Sequence, residues 1–194
     1  MIDEALKIIK SQLQQFIRLK MQIDNVEEKV VLTSIVDQQG KSTIPTDSVG
    51  ITLYRIEEDQ VSEVEQYTLD PDHRAVRTRP AVKLNLYILF AANFKDYSES
   101  LKYIRAVLTF FQTKSYFDTT NTPDMPLGME PMSLVLHTQS VDQHNHTWGL
   151  FGGHYIPSVI YRLRSVYIQE DQVIDVDALV EEMDIIVEEK PFSS

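Results

Sequence analysis

Apolar residues recur at intervals of three, four and seven along the first part of the chain. They occupy six positions: Ile2, Leu6, Ile9, Leu13, Phe16 and Ile23. Because an α-helix has about 3.6 residues per turn, this spacing places all six on one helix face. The pattern therefore predicts an N-terminal helix that packs its apolar face on a core.

Alternation of apolar and polar positions, together with β-branched residues, predicts five strands further along. Their ranges are 30–37, 49–56, 82–90, 132–138 and 158–168. The clearest is 82–90, in which every second residue is apolar on one face. The last strand alternates in the same way and carries Arg162 and Arg164 on one face.

Two further helices are predicted between these strands. The first spans 96–113, is capped by Asp96 or Ser98, and has a buried stripe. That stripe consists of Tyr97, Leu101, Ile104, Leu108 and Phe111. The second spans 142–148, is capped by Asp142, and stops at Gly152 and Gly153. We expect exposed, irregular connections at 57–80 and 114–131.

The predicted order is α-β-β-β-α-β-α-β, followed by an acidic segment. The strands are amphipathic and not continuously apolar, which favours an antiparallel or mixed sheet over a doubly wound parallel one. We predict an α+β fold, with a mixed, largely antiparallel sheet flanked by helices that lie on one face. Residues 1–168 form this domain, and residues 169–194 form an acidic arm or helix.

Charge is concentrated at the C-terminus. The 194 residues carry a net charge of −11, and residues 170–194 hold nine acidic residues and one lysine, a net charge of −8. Apolar residues interleave with these acids. Two interpretations stay open: an amphipathic final helix with a solvated acidic face, or an arm that docks on a neighbouring subunit through Glu181 and Glu182.

Composition excludes several classes of protein. The absence of cysteine excludes a disulfide scaffold, a thiolate nucleophile and a cysteine-ligated metal site. The negative charge disfavours a general nucleic-acid binder. No apolar run reaches the length of a membrane span, and the first residues lack a secretory signal. We expect a protein that folds in the cytoplasm, with neither nucleic acid nor membrane insertion.

Catalytic motifs are missing from the sequence. No phosphate-binding glycine loop, HExxH or GxSxG is present. His144 and His146 are candidate zinc ligands, with Asp142 or His154 as a third. However, residues two apart do not share a helix face, so surface histidines are the favoured interpretation. We predict no catalytic residue, metal or cofactor.

Two arginine groups are candidate interface residues. Arg74, Arg77 and Arg79 form a basic cluster, which is either solvated or paired with the acidic segment of a neighbouring copy. Arg162 and Arg164 are either an outward polar face or a subunit contact, since arginine is enriched at interfaces. Trp148 is expected to be a core anchor.

Several stretches of residues 1–168 resemble one known family. They read MIDEALKIIKSQLQQFI, VVLTSIVD, GITLYRIEED, LNLYILFAANFKDYSESLKYIRAVLTFFQ and HNHTWGLFGGHYIPSVIYRLRSVYI. The chain is similar to the tail-terminator, or cap, proteins of contractile phage-tail-like injection systems. The residues that carry the last motif are Asn145, Trp148, Gly152, Gly153, Pro157 and Tyr161.

The resemblance implies a structural protein and not an enzyme. Such a protein is a subunit of a homohexameric ring that ends the inner tube and outer sheath and joins them. Its partners would be other copies of itself, the tube protein and the sheath protein. It would assemble in the cytoplasm and then form part of a particle, released or cell-bound.

Two alternatives stay open. The chain could be a baseplate or tube-adaptor subunit of the same kind of particle. Less favoured is a small enzyme or metal-binding protein built around His144 and His146.

Overall fold

A computed structural model describes most of the chain. The described residues are 1–22, 28–59, 66–69, 75–78, 82–126, 128–153, 155–168 and 173–177. The chain divides into two compact units. The first consists of residues 1–61 and 82–168, and the second of residues 62–81 and 169–194.

The first unit contains three helices and six strands. The helices are α1 (Ile2–Met21), α2 (Tyr97–Thr113) and α3 (Val141–Leu150). The strands are β1 (Val30–Leu32), β2 (Ser48–Glu58), β5 (Val82–Asn93), β6 (Tyr116–Phe117), β7 (Met132–Leu136) and β8 (Ser158–Ile168). The second unit holds β3 (Gln66–Leu69), β4 (Ala75–Thr78) and β9 (Val173–Asp177).

The six strands of the first unit form one sheet in the order β1-β2-β5-β8-β7-β6. β1 pairs with β2 in parallel, and every other pair in this sheet is antiparallel. The predicted α+β class with a mixed, largely antiparallel sheet is confirmed. All five predicted strands are present, as β1, β2, β5, β7 and β8. The match is best for the long strands β2, β5 and β8, because each is long enough to show its period.

The second unit is a three-stranded antiparallel sheet in the order β3-β4-β9. The prediction of an irregular connection at 57–80 was wrong, since β2 extends to Glu58 and both β3 and β4 lie in this segment. The helical interpretation of the acidic segment was wrong for Val173–Asp177, which pair with β4. Strands of four or five residues are too short to show a clear alternation, so local periodicity gives little sign of them. Residues 178–194 lie outside the described residues.

One face of the six-stranded sheet packs on α1 and α2. Alternate residues of β5 point into this layer, among them the fully buried Leu86, Ile88 and Phe90. Ile9 and Leu13 of α1 are also fully buried there, as the helical spacing predicted. We call this layer the helix-covered face.

The predicted stripe of α2 was partly wrong. Ile104 and Phe111 are buried, but Tyr97 and Leu101 are exposed. The observed buried set is Ser100, Tyr103, Ile104, Ala106, Val107, Phe110 and Phe111. α2 packs against α1 as well as the sheet, with the Phe16 and Phe110 rings 5.3 Å apart, and this broadens its buried side. The cap at Asp96 is confirmed, since its carboxylate accepts the Ser98 N–H at 3.0 Å.

The opposite face of the sheet carries a second, smaller cluster. Its buried members are Ile35, Ile44, Tyr87, Leu89, Ala91, Trp148 and Ile160. Trp148 comes from α3, so the expectation that all helices lie on one face was wrong. β5 is therefore buried on both sides, because Tyr87, Leu89 and Ala91 alternate with the residues of the helix-covered face. We call this second layer the mixed face.

Candidate assembly surface

α3 begins at a reciprocal cap formed by Ser140 and Gln143. The Ser140 hydroxyl accepts the Gln143 N–H at 3.3 Å, and the Gln143 side chain accepts the Ser140 N–H at 3.0 Å. The expected cap at Asp142 was wrong, because Asp142 lies inside the first turn. Ser140 has the extended backbone that an N-cap position needs (φ −67°, ψ 165°).

The helix ends at the two glycines, as predicted. Gly152 and Gly153 both have φ of 76°, a left-handed conformation that only glycine adopts without strain. The N–H of Gly153 donates to the carbonyl of Trp148 at 2.9 Å and closes the last turn. This sharp stop returns the chain past α3 into β8.

An aromatic group surrounds the last turn of α3. Trp148 is buried, which confirms its predicted role as a core anchor. Its ring lies 5.2 Å from Tyr155 and 6.0 Å from Phe151, both edge to face. His144 lies 5.4 Å from Tyr155, so the histidine that sequence offered as a zinc ligand packs against aromatic rings.

Large apolar side chains around α3 remain exposed. Val141 is 76% exposed, Leu150 is 77% exposed and Tyr155 is 55% exposed. Beside α3 lies an open groove of about 400 Å³. Its lining comprises Leu136, His137, Thr138, Gln139, Ser140, Val141, His144, Trp148, Ser158, Val159 and Ile160. Exposed apolar groups next to a groove are typical of protein–protein contacts.

The mixed face becomes polar around Tyr87, on the N-terminal side of Leu89 in β5. Tyr87 donates a hydrogen bond to a Glu57 carboxylate oxygen at 2.6 Å. Arg55 lies 3.3 Å from that same oxygen, and its guanidinium stands over the Tyr87 ring at 5.1 Å. The hydrogen bond to Glu57, with burial added, raises the pKa of Tyr87, and nearby Arg162 opposes the shift.

A β-bulge in β2 brings these charges to the mixed face. Leu53 pairs with Ile88, but the next matched pair is Arg55 with Tyr87, so Tyr54 is an extra residue. Without the bulge, Arg55 and Glu57 would follow Leu53 towards the helix-covered face. Burying charged groups there would be costly, and the bulge instead places them beside a hydroxyl and in partial contact with water.

His137 joins this polar group from β7's side of the sheet. Its ring lies 4.8 Å from Tyr87, edge to face. Burial lowers the pKa of His137, and the positive charges of Arg162 and Arg55 lower it further. The imidazole is therefore held towards its neutral form.

The structure places the predicted interface residues in different settings. Arg162 is half-buried and pairs in register with Tyr87 and Val135, whereas Arg164 is exposed. Arg77 lies in β4. Arg74, Arg79, Glu181 and Glu182 lie outside the described residues. The roles of these residues at an interface stay predictions.

The motif residues of the family resemblance are mainly structural in position. Asn145 is exposed on α3, while Trp148 and Pro157 are buried. Tyr161 is buried on the helix-covered face, with its ring 4.4 Å from Phe111. The sequence analysis did not identify Glu57 and Tyr87 as a pair. The one indication in the sequence was that a tyrosine, Tyr87, lies on the polar side of a strongly apolar strand.

The described residues were also searched for a metal site and for a membrane-spanning helix. Across the described parts of the chain, no group of three His, Asp or Glu side chains could hold a metal ion. Within the same parts, no helix is long and apolar enough to cross a membrane. His154, weighed above as a third ligand, lies outside them.

The sequence matches the family described as the Pvc16 N-terminal domain over residues 4–182. The chain belongs to this family. The match covers most of both structural units, so the membership applies to the whole fold and not to one motif.

Two solved structures share the fold. One is the sheath/tube terminator of an extracellular contractile injection system, PVC, in its extended state, with 17% identity and a TM-score of 0.64. The other is the tube-terminating cap of the anti-feeding prophage, with 15% identity and a TM-score of 0.57. They cover 100% and 95% of this chain, which spans 65% and 62% of theirs. No curated protein matches the sequence.

Proposed function

We propose that this protein is a cap, or tail-terminator, subunit of a contractile phage-tail-like injection system. It ends the inner tube and the outer sheath and joins them. Two observations carry this proposal. Nearly the entire chain shares its fold with a sheath/tube terminator and with a tube-terminating cap, and its sequence matches the Pvc16 N-terminal domain family.

The working form is a homohexameric ring that binds the tube protein and the sheath protein. A ring of identical subunits closes through a heterologous interface, in which each subunit contributes two different patches. A terminator must also fit the preceding ring without offering a copy of that joining surface for further growth. These tasks need shaped surfaces and no bond-making centre, so the proposed role is structural and not enzymatic.

The surface around α3 supports such a role. Val141, Leu150 and Tyr155 are exposed even though the chain buries an extensive core elsewhere. The Ser140 cap and the glycine stop hold Val141 and Leu150 on a short, defined helix, and Tyr155 packs against Trp148 in its last turn. Rigid presentation of apolar groups lowers the entropy lost on assembly, which favours specific association.

Deletion of the gene from the producing cell tests the proposal. We expect tubes and sheaths of uncontrolled length or unstable particles, as seen by electron microscopy, and restoration by the wild-type gene. A tag on the protein should label the particle end away from the puncturing tip. Normal particles after deletion, or a label at the tip end, would contradict the cap assignment. Assembly is expected in the cytoplasm, before any release of the particle.

A pair of equally exposed leucines tests the α3 surface. Leu150→Asp should fold normally but fail to restore particles, because a charge would face an apolar partner surface. Leu19→Asp is the matched control and should restore normal particles. Leu19 is 76% exposed on α1, and Leu150 is 77% exposed on α3. Full restoration by Leu150→Asp would remove α3 from the interface and leave the cap proposal in place.

A further inference from the structure

A second groove lies between the C-terminal end of α1 and the middle of α2. Its volume is about 370 Å³. Its lining consists of Lys20, Met21, Lys102, Arg105, Ala106 and Thr109. The groove thus combines three cations with small or flexible apolar groups, on a chain whose net charge is −11.

Two of these cations lack a partner in the described parts of the chain. Lys102 forms an ion pair with Glu99 at 2.5 Å. Lys20 and Arg105 are exposed, and neither forms an ion pair with a described residue. Lys20 stabilises the C-terminal end of α1 through the helix dipole. Arg105 lies in the middle of α2, where the dipole gives no such role.

The acidic segment of the same sequence has the complementary composition. Residues 178–189 read ALVEEMDIIVEE, with five acidic residues and no basic one. The remaining residues are apolar. A peptide of this kind can place apolar side chains against Met21 and Ala106 while its carboxylates meet the cationic rim.

We propose that residues 178–189 of one copy bind the groove between α1 and α2 of a second copy. This inference rests on the proposed function, because a closed ring requires two different, complementary patches on every subunit. The groove is the acceptor patch and the acidic segment is the donor patch. Glu181 and Glu182, the interface residues that sequence suggested, then face Lys20 and Arg105.

Cysteine cross-linking tests this contact cleanly, because the native chain has no cysteine. Differently tagged Arg105→Cys and Glu182→Cys copies are co-expressed with the tube and sheath genes, and purified particles are oxidised. We expect a covalent heterodimer on a non-reducing gel, which only a contact between copies can produce. Lys41→Cys replaces Arg105→Cys as the control, because Lys41 is exposed and lies in neither proposed contact surface, and it should give no heterodimer with Glu182→Cys.

The outcomes separate the inference from the proposed function. If both variants are incorporated into particles but give no heterodimer, or if only an Arg105→Cys/Glu182→Cys double variant cross-links within one chain, the inference is overturned and the cap assignment stands. Absence of the protein from particles overturns both.

Charge exchange gives a second measurement that does not depend on cysteine. Lys20→Glu/Arg105→Glu should lower the thermal unfolding temperature only slightly, because both side chains are exposed and Lys20 contributes only its interaction with the helix dipole. The same variant should lose ring association by native mass spectrometry. Mixing it with Glu181→Lys/Glu182→Lys should restore association, and added salt should weaken wild-type association several-fold. Unchanged association of both variants would overturn the inference.

Discussion

The two faces of the central sheet differ although they share the same strands. On the helix-covered face, α1 and α2 seal a continuous apolar layer that includes Leu86, Ile88 and Phe90. On the mixed face, Trp148 covers only part of the strands, and the rest carries Tyr87 with its charged neighbours. One face holds the fold together, and the other combines packing with a surface.

The contrast shows where this fold can vary its function. Most side chains on the helix-covered face are enclosed by the chain itself, so we expect substitutions there to act first on stability. The mixed face lies next to α3, the open groove and the exposed apolar groups. Four predictions test this contrast, in order of decreasing effect.

Leu13→Ala should cause the largest loss of stability. Leu13 is fully buried on the helix-covered face, and truncation there leaves a cavity that costs about 2–5 kcal/mol. Urea unfolding measures the change. Leu19→Ala, on the exposed side of the same helix, should change the free energy of unfolding by less than about 0.5 kcal/mol. Equal losses at both positions would contradict the assigned core.

Ser140→Ala should destabilise the protein by about 1 kcal/mol, because it removes the cap of α3. Ser140→Asn should retain most of the stability, since asparagine also caps helices well. Urea unfolding of both variants measures the effect. If Ser140→Ala matches the wild type, the cap does not stabilise α3 and the mixed face does not depend on it.

Tyr87→Phe should cost about 0.5–1 kcal/mol, because Glu57 loses a hydrogen-bond donor. The cost is small because Glu57 is partly exposed and water can replace the hydroxyl. Tyr116→Phe is the control, since Tyr116 is exposed at the sheet edge. A loss as large as that of Leu13→Ala would mean that the polar group is part of the central core.

His137 should give the smallest effect, a dependence of stability on pH. Its folded pKa lies below the ordinary value of 6.5, so the unfolded chain binds more protons near that pH. The free energy of unfolding should therefore fall as pH drops through 6.5 and below. His137→Gln should reduce this slope in urea unfolding. If His137→Gln leaves the pH dependence of the free energy of unfolding unchanged, His137 is not the group responsible for it.

The α+β class, the central strands and the three helices were predictable from sequence because each has a long enough periodic pattern. The glycine stop and the Asp96 cap were predictable because they depend on local geometry. The cap at Ser140 was missed, since both Ser140 and Asp142 are good capping residues and only backbone conformation separates them.

The short strands β3, β4, β6 and β9 were not predicted, because their pairing partners are distant or very short. The polar group on the mixed face was missed for a similar reason. Glu57 and Tyr87 are 30 residues apart in sequence, and a β-bulge brings them together. The alternation of apolar and polar residues does not predict where such a bulge occurs. For the interface, the sequence identified charged candidate residues. It could not identify the groove between α1 and α2, because that groove forms only when the two helices pack against each other.

The amino-acid sequence by itself determined which segments form helices and long strands, which side of each is apolar, and where the charge is concentrated. Those properties depend on neighbours within a few turns or a few strand positions. Only the tertiary structure decided that β5 is buried on both faces, that the bulge in β2 turns Arg55 and Glu57 towards Tyr87, and that cations of α1 and α2 meet in one groove. These features depend on register and packing between distant segments, and local patterns do not encode such relations directly.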